Sequence, residues 1–427
     1  MKKVLVIASF WPYREGSGRV IGLAKCLSEF GWQPIILTPP LLRRPDSQFR
    51  VIETPCKPVL AFWRSLFRFR QNESIRRQVN ERLSVTSKKS LIDFFLSRVG
   101  EIINYPDAYR NWKPFAVKAS TEFLQNEHVD AILSIWPVTT HLIAKDLKAR
   151  YKIPWIADFP DLWSQNHNYQ YGPLRRLIDR RLELKVLLSA DALTTVSQPW
   201  AEKLKTLHKR KSVYVITHGF LPEEMKKEQS KLTSKFTITY TGTIYIGKQN
   251  PSKLFAALKD LISDGTMDPN DVEVRFYGDK EIWLAREIEE YGLSSIVKLH
   301  GRIPRQIALE KQKESHLLLL LNWEDRQEKG WYSLKIYTYL AAQRPIIAVG
   351  GFGNDVVERL LNKTKAGVYC KSVDEIKRAL KHFYKEWKTT GQVQYKGNRA
   401  EINKYSYKEA ARKFAQILDN LVKKGKV

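Results

Sequence analysis

The sequence predicts an α/β chain of two doubly wound, Rossmann-like domains, and three observations carry that expectation. Its 427 residues exceed one ordinary core and suit two domains of roughly 200 residues each. Short apolar segments alternate with longer amphipathic ones, the βαβ pattern of a parallel sheet. That alternation lapses in the polar stretch near residues 217 to 235 and then starts afresh.

Residues 3 to 8, KVLVIA, read as a buried parallel strand. EGSGRVIGLAKCLSEFGW follows as a glycine-containing turn and an amphipathic helix ending at Gly31, and PIILT forms the next strand. The pattern returns in VDAILSIW, a helix through Ala149, IPWIAD, a helix to Leu188 and DALTTVS. In the second half FTITYTGTIY, VEVRFYGD, IVKLHGRI, HLLLLLN and RPIIAVG are strand candidates, separated by helices such as PSKLFAALKDLIS. The expected domains are 1–217, with a basic aromatic insertion at about 57–118, and 218–404, followed by an amphipathic helix in 405–427. Sites in such sheets form beyond strand C-termini, so the loops there are where chemistry is sought.

Hydrophobic residues make up 43% of the chain and no low-complexity block occurs, which excludes a disordered protein. The formal charge of +27 attracts polyanions: nucleic acid, anionic lipid headgroups or a pyrophosphate-linked substrate. No familiar nucleic-acid motif appears, and the cations are not gathered into one module. Cys26, Cys56 and Cys370 lie far apart without metal-ligand spacing, which fits a reducing compartment. The opening MKKVLVIASFW is too short for a signal peptide, and no apolar run reaches about 18 residues, so the expected location is the cytoplasm. Within the insertion, Arg64, Arg68, Arg70, Arg76 and Arg77 sit among Phe62, Trp63, Leu66, Phe67 and Phe69. Two readings stay open: an interfacial helix on the inner face of the cytoplasmic membrane, or a surface helix with a solvated basic edge.

Four segments could carry chemistry. GWYSLKIYTYLAAQRPIIAVGG, residues 330 to 351, reads as turn, helix and buried strand, with Ser333 to cap the helix and Lys335 in its first turns. Orphan N–H groups beside a cation suit phosphate oxygens, so a nucleotide's diphosphate is the expected guest. Gly16-Ser17-Gly18-Arg19 opens the first helix, but the spacing falls short of GxGxxG and no acid ends the second strand, which weakens dinucleotide binding. In TYTGTIYIGKQNPSKLFAAL, Gly242 and Thr243 follow a strand and Lys248 stands near, a cation fit for a diphosphate leaving group. SIWPVTTHLIAKDLKARYKIPWIADFPDLWS brings Trp136, His141, Asp158 and Asp161 to strand ends. The aspartates are candidates for a base at a hydroxyl; a core histidine is the other reading of His141.

These segments resemble GT-B glycosyltransferases of family four. The 330–351 run is similar to their "sGK-x-x-EYLA-x-x-x-P" pattern, and 134–164 to the "sH-x-iA…giPWiaDFRD-x-W" segment of bacterial surface-polysaccharide enzymes, with Pro160 where Arg is usual. The resemblance implies two domains facing across a cleft, the terminal helix crossing back to the first. It implies transfer of a sugar from a nucleotide-sugar donor, the substrate rather than a resident cofactor, to a hydroxyl acceptor. That acceptor would be a lipid-linked saccharide in surface-glycan assembly, and the anomeric configuration would be retained. In these terms His141 hydrogen-bonds the transferred sugar, Asp158 is preferred as catalytic base, and Lys248 stabilises the leaving group. The donor would meet Gly16, Gly18, Gly242, Thr243 and Gly278, then Arg302, Ile303, Ser333, Lys335 and Tyr339. Arg19, Trp136 and Asp161 would face the acceptor. Two glutamates that many relatives carry are replaced by Gly330 and Thr338, and Thr243 stands where Arg is frequent. No D-x-D triplet or zinc-type spacing occurs, so transfer without metal is expected. The alternatives are a non-transferring enzyme such as a sugar-nucleotide epimerase, and a nucleic-acid-binding protein.

Overall fold

The computed structural model describes residues 1–9, 18–41, 49–57, 105–166, 168–169, 171–226 and 231–424. The chain separates into two compact units. One comprises Met1–Val196, Trp200–Ile216 and Ala411–Val427; the other comprises Ser197–Pro199 and Thr217–Ala410.

The first unit runs β1 (Lys2–Ile7), α1 (Gly18–Cys26), β2 (Trp32–Thr38), β3 (Arg50–Glu53), α2 (Lys113–Asn126), β4 (Ala131–Ile135) and α3 (Val138–Tyr151). It continues with β5 (Trp155–Phe159), α4 (Pro173–Leu187), β6 (Ala192–Thr195), α5 (Gln198–Leu207) and β7 (Ser212–Val215). Its seven strands pair in parallel in the order β3-β2-β1-β4-β5-β6-β7, Val4 standing between Pro34 and Ala131. The second unit opens with α6 (Pro222–Lys226), β8 (Phe236–Thr241), α7 (Ser252–Ser263), β9 (Val272–Tyr277), α8 (Ile282–Glu290), β10 (Val297–Leu299) and α9 (Arg305–Lys313). Then come β11 (Leu317–Leu321), α10 (Lys335–Ala342), β12 (Ile346–Val349), α11 (Val356–Thr364), β13 (Gly367–Cys370), α12 (Val373–Thr390) and α13 (Arg399–Asn403); the last helix, α14 (Tyr407–Lys424), belongs to the first unit from Ala411 onward. Its parallel order is β10-β9-β8-β11-β12-β13.

The central strands are largely buried because helices cover both faces of each sheet; all five leucines of β11 are buried. Strand order reverses between β1 and β4, and again between β8 and β11. At such a reversal the flanking loops splay apart, which makes the crevice where ligands settle in doubly wound sheets.

The C-terminal part of α14 packs on the first unit. Asp419 accepts from the Trp32 indole N–H at 3.0 Å and pairs with Lys2, while the Phe414 ring lies 5.3 Å from the Arg19 guanidinium. The expected interfacial residues Phe62 to Arg77 fall outside the described residues.

Candidate functional site

In the second unit the loops after β8, β9, β11 and β12 meet at the C-terminal end of the sheet, an edge of the layer rather than an edge strand. Gly242 turns the chain after β8 with φ +99°, and its N–H donates to the Tyr277 carbonyl at 2.6 Å. A Cβ on Gly278 would stand 2.4 Å from the Gly242 oxygen, so the two loops touch backbone to backbone and admit no side chain there. Tyr339, expected against the donor, is instead fully buried; its hydroxyl accepts the Thr241 N–H at 3.1 Å and fixes the end of β8 from below.

Lys335 is the first residue of α10. Leu334 holds the cap position without a side-chain bond, so the expected Ser333 cap is corrected: Ser333 is buried, and its carbonyl accepts from the Ile336 N–H at 3.1 Å. The Lys335 ammonium donates to the Thr243 carbonyl at 3.1 Å and lies 5.0 Å from the Tyr240 ring. Among the described residues no carboxylate pairs with it. Its side chain keeps some solvent contact, yet surrounding protein disfavours the charge and lowers its pKa to about 8. A cation short of counter-charge therefore stands beside a tight glycine turn and a helix start free of side-chain caps.

Three other cations near this site are compensated. Lys248, the expected leaving-group residue, stands 3.2 Å from Asp325 and 5.7 Å from the Trp323 ring centre. Lys253 pairs with Glu324 at 2.6 Å, and Arg302 holds Asp279 through both carboxylate oxygens, one at 2.9 Å. Ile303, half-buried, follows in the same loop. The Gly330 N–H donates to Glu328 at 2.8 Å and the Thr338 hydroxyl to the Lys335 carbonyl at 3.0 Å, so neither position supplies an acid. Glu324 does reach this edge: a Cβ on Gly350 would sit 2.9 Å from its Oε1. Glu324, Asp325 and the Trp323–Trp331 pair, whose rings lie 4.5 Å apart, were not singled out from the sequence. For Trp323, Glu324 and Asp325 the signal was their place directly after the HLLLLLN strand.

In the first unit the structure rearranges the expected roles. Gly16 lies outside the described residues, and Gly18 is exposed at the start of α1. Arg19 and Asp158, assigned to acceptor and base, are 1% and 0% exposed and bind each other: Nε to Oδ2 at 2.7 Å and an Nη to Oδ1 at 2.8 Å. Thr194 donates to the same carboxylate at 2.6 Å, and Arg19 also donates to the Ile216 carbonyl at 3.0 Å. The Asp158 carboxylate, expected as a base, is thus bound within its own unit by Arg19 and Thr194.

His141 is likewise enclosed, 0% exposed, with its ring 4.6 Å from that of Phe159. Ser134 accepts from the Trp155 indole N–H at 2.7 Å and lies 2.7 Å from His141 Nδ1, while Nε2 has no hydrogen-bond partner. Burial lowers the imidazole pKa to about 3, so the ring is neutral near pH 7 and does not reach out to a sugar as expected. Trp136 is half-buried between His141, Phe159 and Trp163. Asp161, just past β5, is the group that remains available. The residue is exposed, and desolvation by the protein around its carboxyl raises the pKa to about 6.

Among the described residues no three His, Cys, Asp or Glu side chains gather as a metal site, and no helix is long and apolar enough to cross a membrane. No protein-family model matches the chain, and no curated protein does. Solved structures do match. Sucrose-phosphate synthase from Thermosynechococcus elongatus superposes with a TM-score of 0.61 at 13% identity, covering 99% of both chains. The E. coli trehalose-6-phosphate structure bound with UDP-2-fluoro glucose gives 0.57 at 12%, covering 98% of this chain and 99% of that one. The lipopolysaccharide outer core galactosyltransferase WaaB gives 0.55 at 12% over the whole of both chains. At these identities the likeness is one of fold, two parallel-sheet α/β domains of the GT-B class.

Proposed function

We propose that this chain is a glycosyltransferase that moves a sugar from a nucleotide-sugar donor to a hydroxyl acceptor. The observation that carries the reading is Lys335: a cation without a carboxylate partner among the described residues, beside the Gly242–Thr243 turn. A diphosphate supplies the missing counter-charge and also accepts from the N–H groups at the start of α10. When the bond from the anomeric carbon to the donor phosphate oxygen breaks, negative charge gathers on the diphosphate, and a fixed ammonium favours that moment over the ground state. Leaving-group stabilisation thereby passes from Lys248 to Lys335.

The acceptor oxygen forms the new bond and gives up its proton. Asp161 suits that proton, because a carboxyl titrating near 6 is a stronger base than an ordinary aspartate and is still ionised at neutral pH. The reading includes a metal-independent, retaining transfer and a lipid-linked saccharide acceptor; the chain's charge of +27 supports an anionic, pyrophosphate-bearing partner. UDP-2-fluoro glucose and a lipopolysaccharide galactosyltransferase among the matched structures support the same class.

The test is a thermal-shift panel of UDP-, GDP-, dTDP- and CMP-sugars. Ligands that bind only the folded state raise its melting temperature. One nucleotide class should do so, and Lys335→Ala should remove the effect; a panel with no shift, or a shift that survives the substitution, would sink the reading.

A further inference from the structure

Helix α4 (Pro173–Leu187) is built inside out. Its buried positions include Arg175, Asp179 and Glu183 beside Val186 and Leu187. Each charge has internal partners. Arg175 donates to Asp179 at 3.0 Å and to the Pro106 carbonyl at 3.0 Å, with its guanidinium over the Tyr105 and Tyr171 rings. Glu183 accepts from the Ser164 N–H at 3.0 Å and lies 3.2 Å from His208 Nε2.

The outward face carries the apolar residues. Leu174 is 71% exposed and Leu188, next after the helix, 74%, with Leu177, Ile178 and Leu184 exposed between them. At 100° per residue these positions fall on one side, together with Arg181 and Lys185. A surface helix ordinarily turns its apolar stripe to the core, whereas this one buries both its acids and Arg175 and leaves a leucine-rich stripe in water. Such a stripe on a folded surface calls for a cover.

The charges name that cover. Both acids of the helix are buried, so its exposed charges are all positive: Arg176, Arg180, Arg181 and Lys185. A second copy docked face to face about a two-fold axis would set these arginines against themselves. A bilayer of anionic lipid answers both features, taking the leucines at the acyl boundary while the long basic side chains reach back to the phosphates. Tyr169 and Tyr171, half-buried just before the helix, are of the residue type that favours that depth. We infer that α4 is an interfacial helix that lays the first unit on an anionic membrane surface. The inference is separate from the basic insertion and independent of sugar transfer, so a nucleotide panel without effect leaves it standing.

Flotation of the full chain with vesicles tests it. The protein should rise with phosphatidylglycerol-containing vesicles and stay down with pure phosphatidylcholine. Leu177→Ser, Leu184→Ser and Leu188→Ser combined should lower the bound fraction at least about tenfold, as expected when apolar area drives insertion. Arg180→Glu with Arg181→Glu should weaken binding to anionic vesicles, with circular dichroism confirming that each variant is folded. A fluorophore on Leu177→Cys, read against the parent chain labelled alike, should shift to the blue with anionic vesicles. Absence of wild-type flotation, flotation unchanged by the leucine substitutions, an unshifted probe, or a dimer that those substitutions dissociate would each overturn the inference.

Discussion

Lys335 passes so close beneath Gly242 that a Cβ added there would sit 2.9 Å from the lysine Cε. The left-handed φ of +99° at Gly242 and the reach of the lysine are therefore two halves of one arrangement. Gly242→Ala should displace the ammonium and weaken nucleotide binding, and Lys335→Ala should cost roughly 1.5–3 kcal/mol, or about 10- to 150-fold in Kd, as loss of a charged hydrogen bond does. Calorimetric titration with the nucleotide found in the panel measures both.

The same ammonium makes binding depend on pH. In the empty chain its pKa is lowered from 10.5 to about 8 by desolvation, and a bound diphosphate, favouring the charged form, raises it again. Affinity should be highest below about pH 8 and fall by up to about tenfold per pH unit above it. Without ligand the sign reverses. The folded state binds fewer protons than the unfolded one between about 8 and 10.5, so this group adds stability as pH rises through that window. Titrations at several pH values, wild type against Lys335→Ala, resolve the slope.

Lys248→Ala should impair turnover less than Lys335→Ala, because Asp325 already offsets the Lys248 charge at 3.2 Å. A double-mutant cycle with Asp325→Asn should return about 0.2–1 kcal/mol for this partly exposed pair. A larger loss of kcat from Lys248→Ala than from Lys335→Ala would return the leaving-group role to Lys248.

Asp158→Ala leaves the Arg19 guanidinium buried without its partner and should destabilise the first unit by about 3–5 kcal/mol, seen as a lower urea midpoint. Asp158→Leu with Arg19→Met should recover much of that loss, since an apolar pair removes both desolvated charges together. A variant that melts like wild type but turns over poorly would restore the catalytic assignment.

Asp161→Asn should lower kcat by about 100- to 10,000-fold with the fold intact, the range for removing a general base. In wild type, kcat/KM should rise with pH through about 6 as the carboxyl loses its proton, and the substitution should flatten that limb. A pH–rate profile of both forms decides it.

Much of the architecture was legible in the sequence, because fully buried parallel strands such as KVLVIA and HLLLLLN leave continuous apolar runs that alternate with helices. Loop positions were legible too, since Gly242, Gly278 and Lys335 follow from the strand-to-helix order. What the pattern did not convey is which way a polar side chain turns. Arg19 and Asp158 stand 139 residues apart, and only the sheet order brings α1 against β5 so that they neutralise each other. His141 reads the same in sequence whether it points outward or toward Ser134 and Phe159. In α4 the periodicity was visible but its polarity was not, because the partners of Arg175 and Glu183 come from distant segments.

The tie between Trp32 and Asp419 has a consequence for biogenesis. The first unit takes its closing helix from residues translated after the entire second unit. At about 5–20 residues per second, the nascent sheet waits some ten seconds or more with the α14 seat uncovered. The second unit, whose sheet is complete by Cys370, can mature beforehand. That order of synthesis leaves the first sheet incompletely covered until the last residues emerge.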